Sequence, residues 1–277
     1  MATAPSSTLI QPDNYRFLQE HIRIHSGIVI DADKHYLFEA RLLPIAREQG
    51  MSTLDDLCTQ LRRLSEASLR YRVVEAMTTN ETFFFRESAH FDILRHQILP
   101  PLIRARKTTK RLSFWSAASS TGQEACSIAI LLAEMGLDDW SISITGTDLA
   151  SKVVERARTG QYSQLEVNRG LSASLLVKYF DRQDSTWNLK AHLKRRTHFE
   201  QFDLRSSMRG LGPFDVVFCR NVLIYFDAET KSKIIEGIHG TLFKGGHLFL
   251  GASEVSFPPA SKFWRRSHND VVYYEAR

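Results

Sequence analysis

Apolar residues recur at helical spacing through residues 12–76 and give way to short β-rich runs beyond them. Tyr15, Leu18, Ile22 and the Ile24-His25 pair predict one helical face. His35, Phe38, Leu42, Ile45 and Ala46 predict a second, and Leu54, Leu57, Leu61 and Leu64 a third. Ser52 or Thr53 ahead of Asp55 and Asp56 marks the start of the third helix. Ser65-Glu66-Ala67-Ser68 opens a fourth, which ends near Met77. Residues 12–77 therefore read as a small all-helical domain.

From Arg111 onward, strand and helix alternate. Strands are predicted at Arg111–Ser116, Ser141–Asp148, Thr197–Phe202, Asp215–Cys219, His247–Gly251 and Asp270–Glu275. Helices are predicted at Glu124–Met135, from Asp148 through Arg158, at Leu171–Phe180 and at Ala228–Leu242. This alternation implies an α/β domain over residues 78–277, with a parallel sheet covered on both faces. Gly245-Gly246 is expected to turn into the fifth strand, and the last strand to lie antiparallel at or near the edge. Residues 183–196 interrupt the pattern and predict a small β-subdomain insertion. Residues 1–11 read as a disordered tail.

Composition narrows the class. The 277 residues are 43% hydrophobic and 24% charged, ordinary for a globular protein. No apolar run approaches the roughly 20 residues of a membrane span, and the N-terminus lacks a signal-peptide core. Cys58, Cys126 and Cys219 are widely spaced, which predicts reduced thiols at half-buried positions, a cytoplasmic setting and no metal site. The net charge of +5 is concentrated in Arg104–Arg111 and Lys190–Arg196. Neither run interleaves aromatics as a nucleic-acid groove would, so both read as solvated faces. No exposed heptad or long apolar stripe appears, which predicts a monomer.

The candidate chemistry sits at the strand ends, where open α/β sheets bind ligands. The first strand leads into the small-residue loop Ser116–Gly122 and then Glu124. That loop lacks the GxGxxG fingerprint, and Glu124 would repel a phosphate but attract a cationic amino group. The second strand ends in Asp148, a position suited to ribose hydroxyls and equally to a helix cap. The third ends in Asp203, which could face an adenine amino group. The fourth ends in Arg220-Asn221, with Tyr225 four residues beyond Asn221. A buried strand has no use for an Arg-Asn pair, because unpartnered buried polar groups cost about 1–3 kcal/mol each. Together the four ends suit S-adenosylmethionine in a class I, Rossmann-like methyltransferase domain.

Ahead of the sheet runs Thr79-Asn80-Glu81-Thr82-Phe83-Phe84-Phe85-Arg86-Glu87. With Ser119-Ser120-Thr121-Gly122-Gln123-Glu124 and Cys219-Arg220-Asn221-Val222-Leu223-Ile224-Tyr225-Phe226, it resembles the CheR family of chemoreceptor glutamate methyltransferases. The resemblance runs in order over nearly the whole chain. It implies methyl transfer from S-adenosylmethionine to glutamate γ-carboxylates of chemoreceptor cytoplasmic helices, with S-adenosylhomocysteine as the second product. It also implies cofactor contacts from Asn80, Thr82, Arg86, Glu124, Asp148, Asp203, Leu204, Arg220 and Asn221. Arg86 and Tyr225 would sit beside the transferred methyl, and Arg41 and Arg47 would recognise the receptor.

Three departures from the family pattern stand out. Ala125-Cys126 replaces a frequent Pro-Tyr, and Asp203 replaces a frequent asparagine. Residues 180–189 lack the glycines of the loop that grips a receptor's C-terminal pentapeptide, so no strong pentapeptide dependence is expected. A carboxylate acceptor is already ionised at neutral pH and needs no general base. Two other readings compete: a methyltransferase for RNA or a small molecule, and a non-catalytic cofactor-binding or signalling module. Val222-Leu223 stands where amino-methylating enzymes carry two prolines, against the first. The full set of matched ligand positions argues against the second. The helical domain and the 183–196 excursion offer surfaces for a regulatory protein that no residue identifies.

Overall fold

The computed structural model describes residues 10–63, 67–255 and 258–277. Its contacts divide the chain into two units, Met1–Thr79 with Tyr225–Asp227, and Asn80–Ile224 with Ala228–Arg277.

The first unit holds α1 (Pro12–Ser26), α2 (His35–Glu48), α3 (Leu54–Arg63) and α4 (Ala67–Met77). Pro12 opens α1, where its missing N–H is no loss, and Gly27 closes it in the left-handed conformation. Tyr15, Leu18, His21 and Ile22 form its buried face, whereas Ile24 is 56% exposed. Ile24 lies two residues past Ile22, about 200° round the helix, and so falls off that face. Thr53 caps α3 reciprocally: its hydroxyl accepts from the Asp56 N–H (3.1 Å), and the Asp56 carboxylate accepts from the Thr53 N–H (3.0 Å). The predicted positions Leu64, Ser65 and Glu66, and residues 1–9 of the tail, lie outside the described residues. Ile10 is buried.

The second unit opens with α5 (Ala89–Ile93) and α6 (Leu99–Ala105), which the sequence did not announce. Ser88 makes no capping hydrogen bond, and Pro100-Pro101 looks like a breaker yet lies in the first turn of α6, where proline is tolerated. Then follow β1 (Arg111–Ala117), α7 (Gln123–Glu134), β2 (Ser141–Asp148), α8 (Ser151–Thr159), β3 (Gln161–Ser163), α9 (Gln164–Asn168) and α10 (Ala173–Tyr179). Next are β4 (Phe180–Gln183), β5 (Thr186–Leu189), α11 (Ala191–Lys194), β6 (Thr197–Gln201), β7 (Phe214–Cys219), α12 (Ala228–Gly240), β8 (Leu242–Leu250), β9 (Phe263–His268) and β10 (Val271–Ala276).

The main sheet has seven strands in the order β6-β2-β1-β7-β8-β10-β9. The first five are parallel, and β10 and β9 are antiparallel to their neighbours. From β1 the chain builds outward through β2 to β6, then returns to build the other way through β7 and β8. The order therefore reverses between β1 and β7, and a ligand crevice belongs at their carboxyl ends. Phe114, Trp115, Val216, Phe218 and Phe249 are fully buried in and around these central strands.

Three details depart from the sequence pattern. The small sheet is β3-β5-β4, and most of 190–196 is not strand: α11 occupies Ala191–Lys194. Its first strand, at three residues, is too short to show a period. The β8 strand begins before Gly245-Gly246, which ride in a register shift against β7, with Gly245 at φ 77°. The β9 strand escaped notice because only Phe263 of its six residues is buried.

The small sheet grips the segment that precedes α5. Phe84 is fully buried, edge-on to Tyr162 (5.0 Å) and Phe180 (5.7 Å). Arg169 pairs with Glu81 at 2.9 Å and lies over the Phe83 ring. At Gly170, φ is 91° and a Cβ would stand 1.8 Å from the Phe84 carbonyl oxygen. Cys58, Cys126 and Cys219 are fully buried rather than half-buried. Burial pushes the Cys58 and Cys126 thiols up to about 12.

Candidate active site

The crevice is framed by Ala117 of β1 and Cys219 of β7, which are register partners at the reversal point. After β1 the backbone turns through left-handed positions at Ala118 (φ 60°), Ser120 (φ 51°) and Gly122 (φ 94°). A Cβ on Gly122 would stand 2.9 Å from the Phe199 ring, so glycine is required there by both space and conformation. Asp148 fastens this loop: one carboxylate oxygen accepts the Ser120 N–H (2.9 Å) and the other the Ala150 N–H (3.0 Å). Asp148 is not the cap of α8, whose N-cap is Ala150 without a side-chain cap bond; the Asp148 carboxylate holds the turn ahead of that helix. Ser120 donates to the Asn80 carbonyl (2.8 Å), which brings Asn80 to the same loop.

After β7 comes a buried charge cluster. The Arg220 side chain is 1% exposed. It donates to Glu124 (2.8 Å) and to the Arg86 carbonyl (2.5 Å), and it pairs with Glu87 (3.3 Å). Glu124 also accepts from the Ser116 hydroxyl at 2.7 Å. Asn221 adopts φ 58°, and its amide donates to Glu87 (3.1 Å). His90 Nδ1 lies 3.4 Å from Glu87. The cluster is not fully satisfied: Arg220 Nε, one Glu87 oxygen and His90 Nδ1 are buried without a hydrogen-bond partner, as is Ser119 Oγ. Buried orphans of this kind are unusual in folded proteins and call for an explanation.

Electrostatics follow from the packing. Burial raises the Glu87 carboxyl, but the Arg220 guanidinium and the Asn221 amide more than offset this, so its net shift is downward. Burial and the nearby Arg220 push His90 down to about 4, which leaves the imidazole neutral at physiological pH. With Glu87, Glu124 and Asp148 present, carboxylates outnumber the Arg220 cation here. That balance suits a ligand carrying positive charge, and a carboxylate such as Asp148 is an acceptor for hydroxyl donors. These residues fit an adenosyl ligand with an ammonium group and a sulfonium.

The other expected positions divide. Leu204 is buried, and Thr82 is half-buried on the Asn80–Glu87 segment. Arg86 donates to the Glu81 carbonyl (2.9 Å) and lies over Phe83. Asp203 is held by the Arg205 guanidinium (2.7 Å), so its carboxylate already has a cationic partner. Tyr225 belongs to the Tyr225–Asp227 segment that groups with the helical unit, where its carbonyl accepts the Val29 N–H (2.8 Å). In that unit Arg41 donates to the Met77 and Thr78 carbonyls and to Thr79, closing α4, while Arg47 is exposed. Sequence reading missed Glu87 and Glu254. Glu87 directly follows Arg86 in the motif and could have been taken with it. Glu254 gave no signal, because its partners are backbone N–H groups of a distant loop.

Comparison with known proteins bears on both units. A family model described as the CheR methyltransferase SAM binding domain matches residues 80–269. Another, the CheR methyltransferase all-alpha domain, matches residues 13–78. The chain is 41% identical over 234 residues to chemotaxis protein methyltransferase Cher2 of Pseudomonas putida, covering 82% of this chain and 85% of that one. It is 36% identical over 274 residues to a chemotaxis protein methyltransferase of Vibrio parahaemolyticus, covering 97% and 98%. Among solved structures, TrmN from Thermus thermophilus aligns with a TM-score of 0.36 at 16% identity, over 64% of this chain and 46% of that one.

Proposed function

This chain belongs to the CheR methyltransferase family, and we propose that it esterifies glutamate γ-carboxylates on the cytoplasmic helices of a chemoreceptor. The observation that carries this reading is the buried Arg220 bridging Glu87 and Glu124 at the reversal point of the sheet. S-adenosylmethionine, the cofactor of the family, supplies a methyl group on a positively charged sulfur.

The chain's residues hold and orient. Asp148 takes the ribose hydroxyls and Glu124 the ammonium group, with Arg220 fixing Glu124 in place. Asn80, Thr82, Asn221 and Leu204 complete the cofactor contacts. Asp203 contributes only if it shares its carboxylate with Arg205. The acceptor carboxylate arrives ionised, so no proton need be removed before attack. Catalysis then rests on alignment, worth roughly 7–11 kcal/mol in favourable cases. Arg86 and Tyr225 position the acceptor, and a pairing with Arg86 that was too strong would dull the nucleophile. Arg47 supplies positive charge for an acidic receptor helix, as does Arg41 elsewhere on α2, whose guanidinium also holds the end of α4. The enzyme works in the cytoplasm, as a monomer; no helix among the described residues is long and apolar enough to cross a membrane.

The test combines purified protein, radiolabelled S-adenosylmethionine and receptor-rich membranes, followed by base treatment. Receptor label released as volatile methanol is the expected result. Base-stable label would assign another acceptor chemistry. No label despite tight cofactor binding would point to a different receptor or to a binding module.

A further inference from the structure

The Glu254 carboxylate is fully buried, yet no lysine or arginine pairs with it among the described residues. Four backbone N–H groups converge on it instead. Gly251 (2.8 Å) and Asn221 (2.7 Å) donate to one oxygen, and Val222 (2.9 Å) and Ile224 (3.2 Å) to the other. Three of these donors belong to the loop that leaves β7. That loop contains Asn221 in a left-handed conformation and leads directly into Tyr225. A left-handed non-glycine residue stays put only where its surroundings over-determine it.

We infer that Glu254 is a positioning residue for methyl transfer: its carboxylate fixes the Asn221–Ile224 backbone and so sets where Arg220 and Asn221 meet the cofactor. This rests on the reading of the Arg220-Asn221 end as the cofactor site. The chemistry requires a carboxylate. Both oxygens accept from two N–H groups, so an amide would turn its own N–H₂ toward two donors. Charge-assisted bonds of this kind are about twice as strong as neutral ones. Glu254 also bonds Gly251 twice, its carboxylate accepting the Gly251 N–H (2.8 Å) and its own N–H donating to the Gly251 carbonyl (2.9 Å), which ties the end of β8 to the end of β7. The two central strand ends are thereby held as one rigid lip.

Glu254→Gln tests this, with Gly251→Ala as a second variant. An added Cβ at Gly251 would stand 2.7 Å from both Asn221 Nδ2 and Glu254 Oε2, disturbing the same cradle without removing charge. Asp215→Asn, at the opposite end of β7, is the control for loss of stability alone. Affinity for S-adenosylhomocysteine is read by calorimetry, kcat and KM by methyl transfer, and folding by thermal melting. Glu254→Gln and Gly251→Ala are expected to weaken affinity and kcat roughly tenfold or more, while Asp215→Asn lowers Tm and leaves both within about twofold. Wild-type affinity and kcat in a folded Glu254→Gln, or equal losses in Asp215→Asn, would overturn the inference. Failure of the wild-type protein to bind S-adenosylhomocysteine would overturn instead the reading of the cofactor site.

Discussion

The two ends of β7 each bury an ion pair, and they are built in opposite ways. At the amino end the acid lies on the strand: Asp215 is 3% exposed, and its cation, Arg106, comes from the turn after α6 and is 30% exposed. Both Asp215 oxygens are satisfied, one by Arg106 (2.9 Å) and the other by the N–H (2.8 Å) and hydroxyl (3.2 Å) of Ser113. Arg106 also lies over the Phe243 ring. At the carboxyl end the cation directly follows the strand, two acids come from elsewhere, and Arg220 Nε and His90 Nδ1 are left without a hydrogen bond. A closed pair ties neighbouring segments together and asks for nothing more. An open cluster holds unspent hydrogen-bonding capacity at the place where the sheet reverses order. The difference separates a structural charge from a functional one better than burial does, since both ends are buried.

Breaking each end should therefore give different losses. Arg220→Met has the largest expected effect. It leaves Glu87 and Glu124 buried without their cation, which costs roughly 3–5 kcal/mol of stability, and S-adenosylhomocysteine binding should vanish in calorimetry. Arg220→Lys should rescue folding but not affinity, because an ammonium cannot reproduce the guanidinium fork. Wild-type binding by Arg220→Met would erase the contrast. Asp215→Asn comes next. Its expected loss is about 1–3 kcal/mol in urea unfolding, with turnover per folded molecule unchanged; a selective fall in kcat would show that the amino end is functional too.

The smallest effect is in acid. His90 titrates near 4 in the folded chain against 6.5 ordinarily, and so does His21 in the helical unit, through burial and then the nearby His25 and Arg70. Between those values the unfolded chain binds more protons than the folded one, so stability falls as pH drops from about 6.5 toward 4. Glu87, whose carboxyl is shifted down from 4.5, adds its loss only below that value. No histidine partners Asp215 among the described residues, so His90→Gln should flatten the slope of urea midpoint against pH while Asp215→Asn leaves it intact. Parallel slopes for both variants would show that His90 does not carry this term.

Much of the architecture is legible in the linear pattern. The helical faces of α2 and α3, the parallel strands, and the polar residues at their ends follow from period and from the cost of burying an Arg-Asn pair. What escapes follows from physics that such a pattern does not record. The α6 helix hides behind prolines that its first turn tolerates, and β9 exposes all but one side chain, so neither shows a period. The partner of Asp203 is two residues away, yet only a folded turn shows that Arg205 closes on it. Glu254 and Asp148 do their holding through backbone N–H groups, which every residue but proline carries, so no residue type betrays the partner. Glu87 is the nearest miss, since it stands inside the Thr79–Glu87 motif, directly after Arg86.

Gly170 bears on how tolerance to substitution is to be interpreted. Its φ and the Phe84 carbonyl 1.8 Å from where a Cβ would stand exclude every side chain. In a saturation library selected for methyl transfer, Gly170 will stand out as sharply as Arg220. Yet it touches neither cofactor nor acceptor; it only allows the small sheet to close over the segment carrying Asn80, Thr82 and Arg86. Intolerance at that position is a record of clearance rather than of chemistry. Selecting the same library for folding alone would tell the two apart, because Gly170 variants would fail both selections while Arg220→Lys would pass the selection for folding and fail the one for methyl transfer.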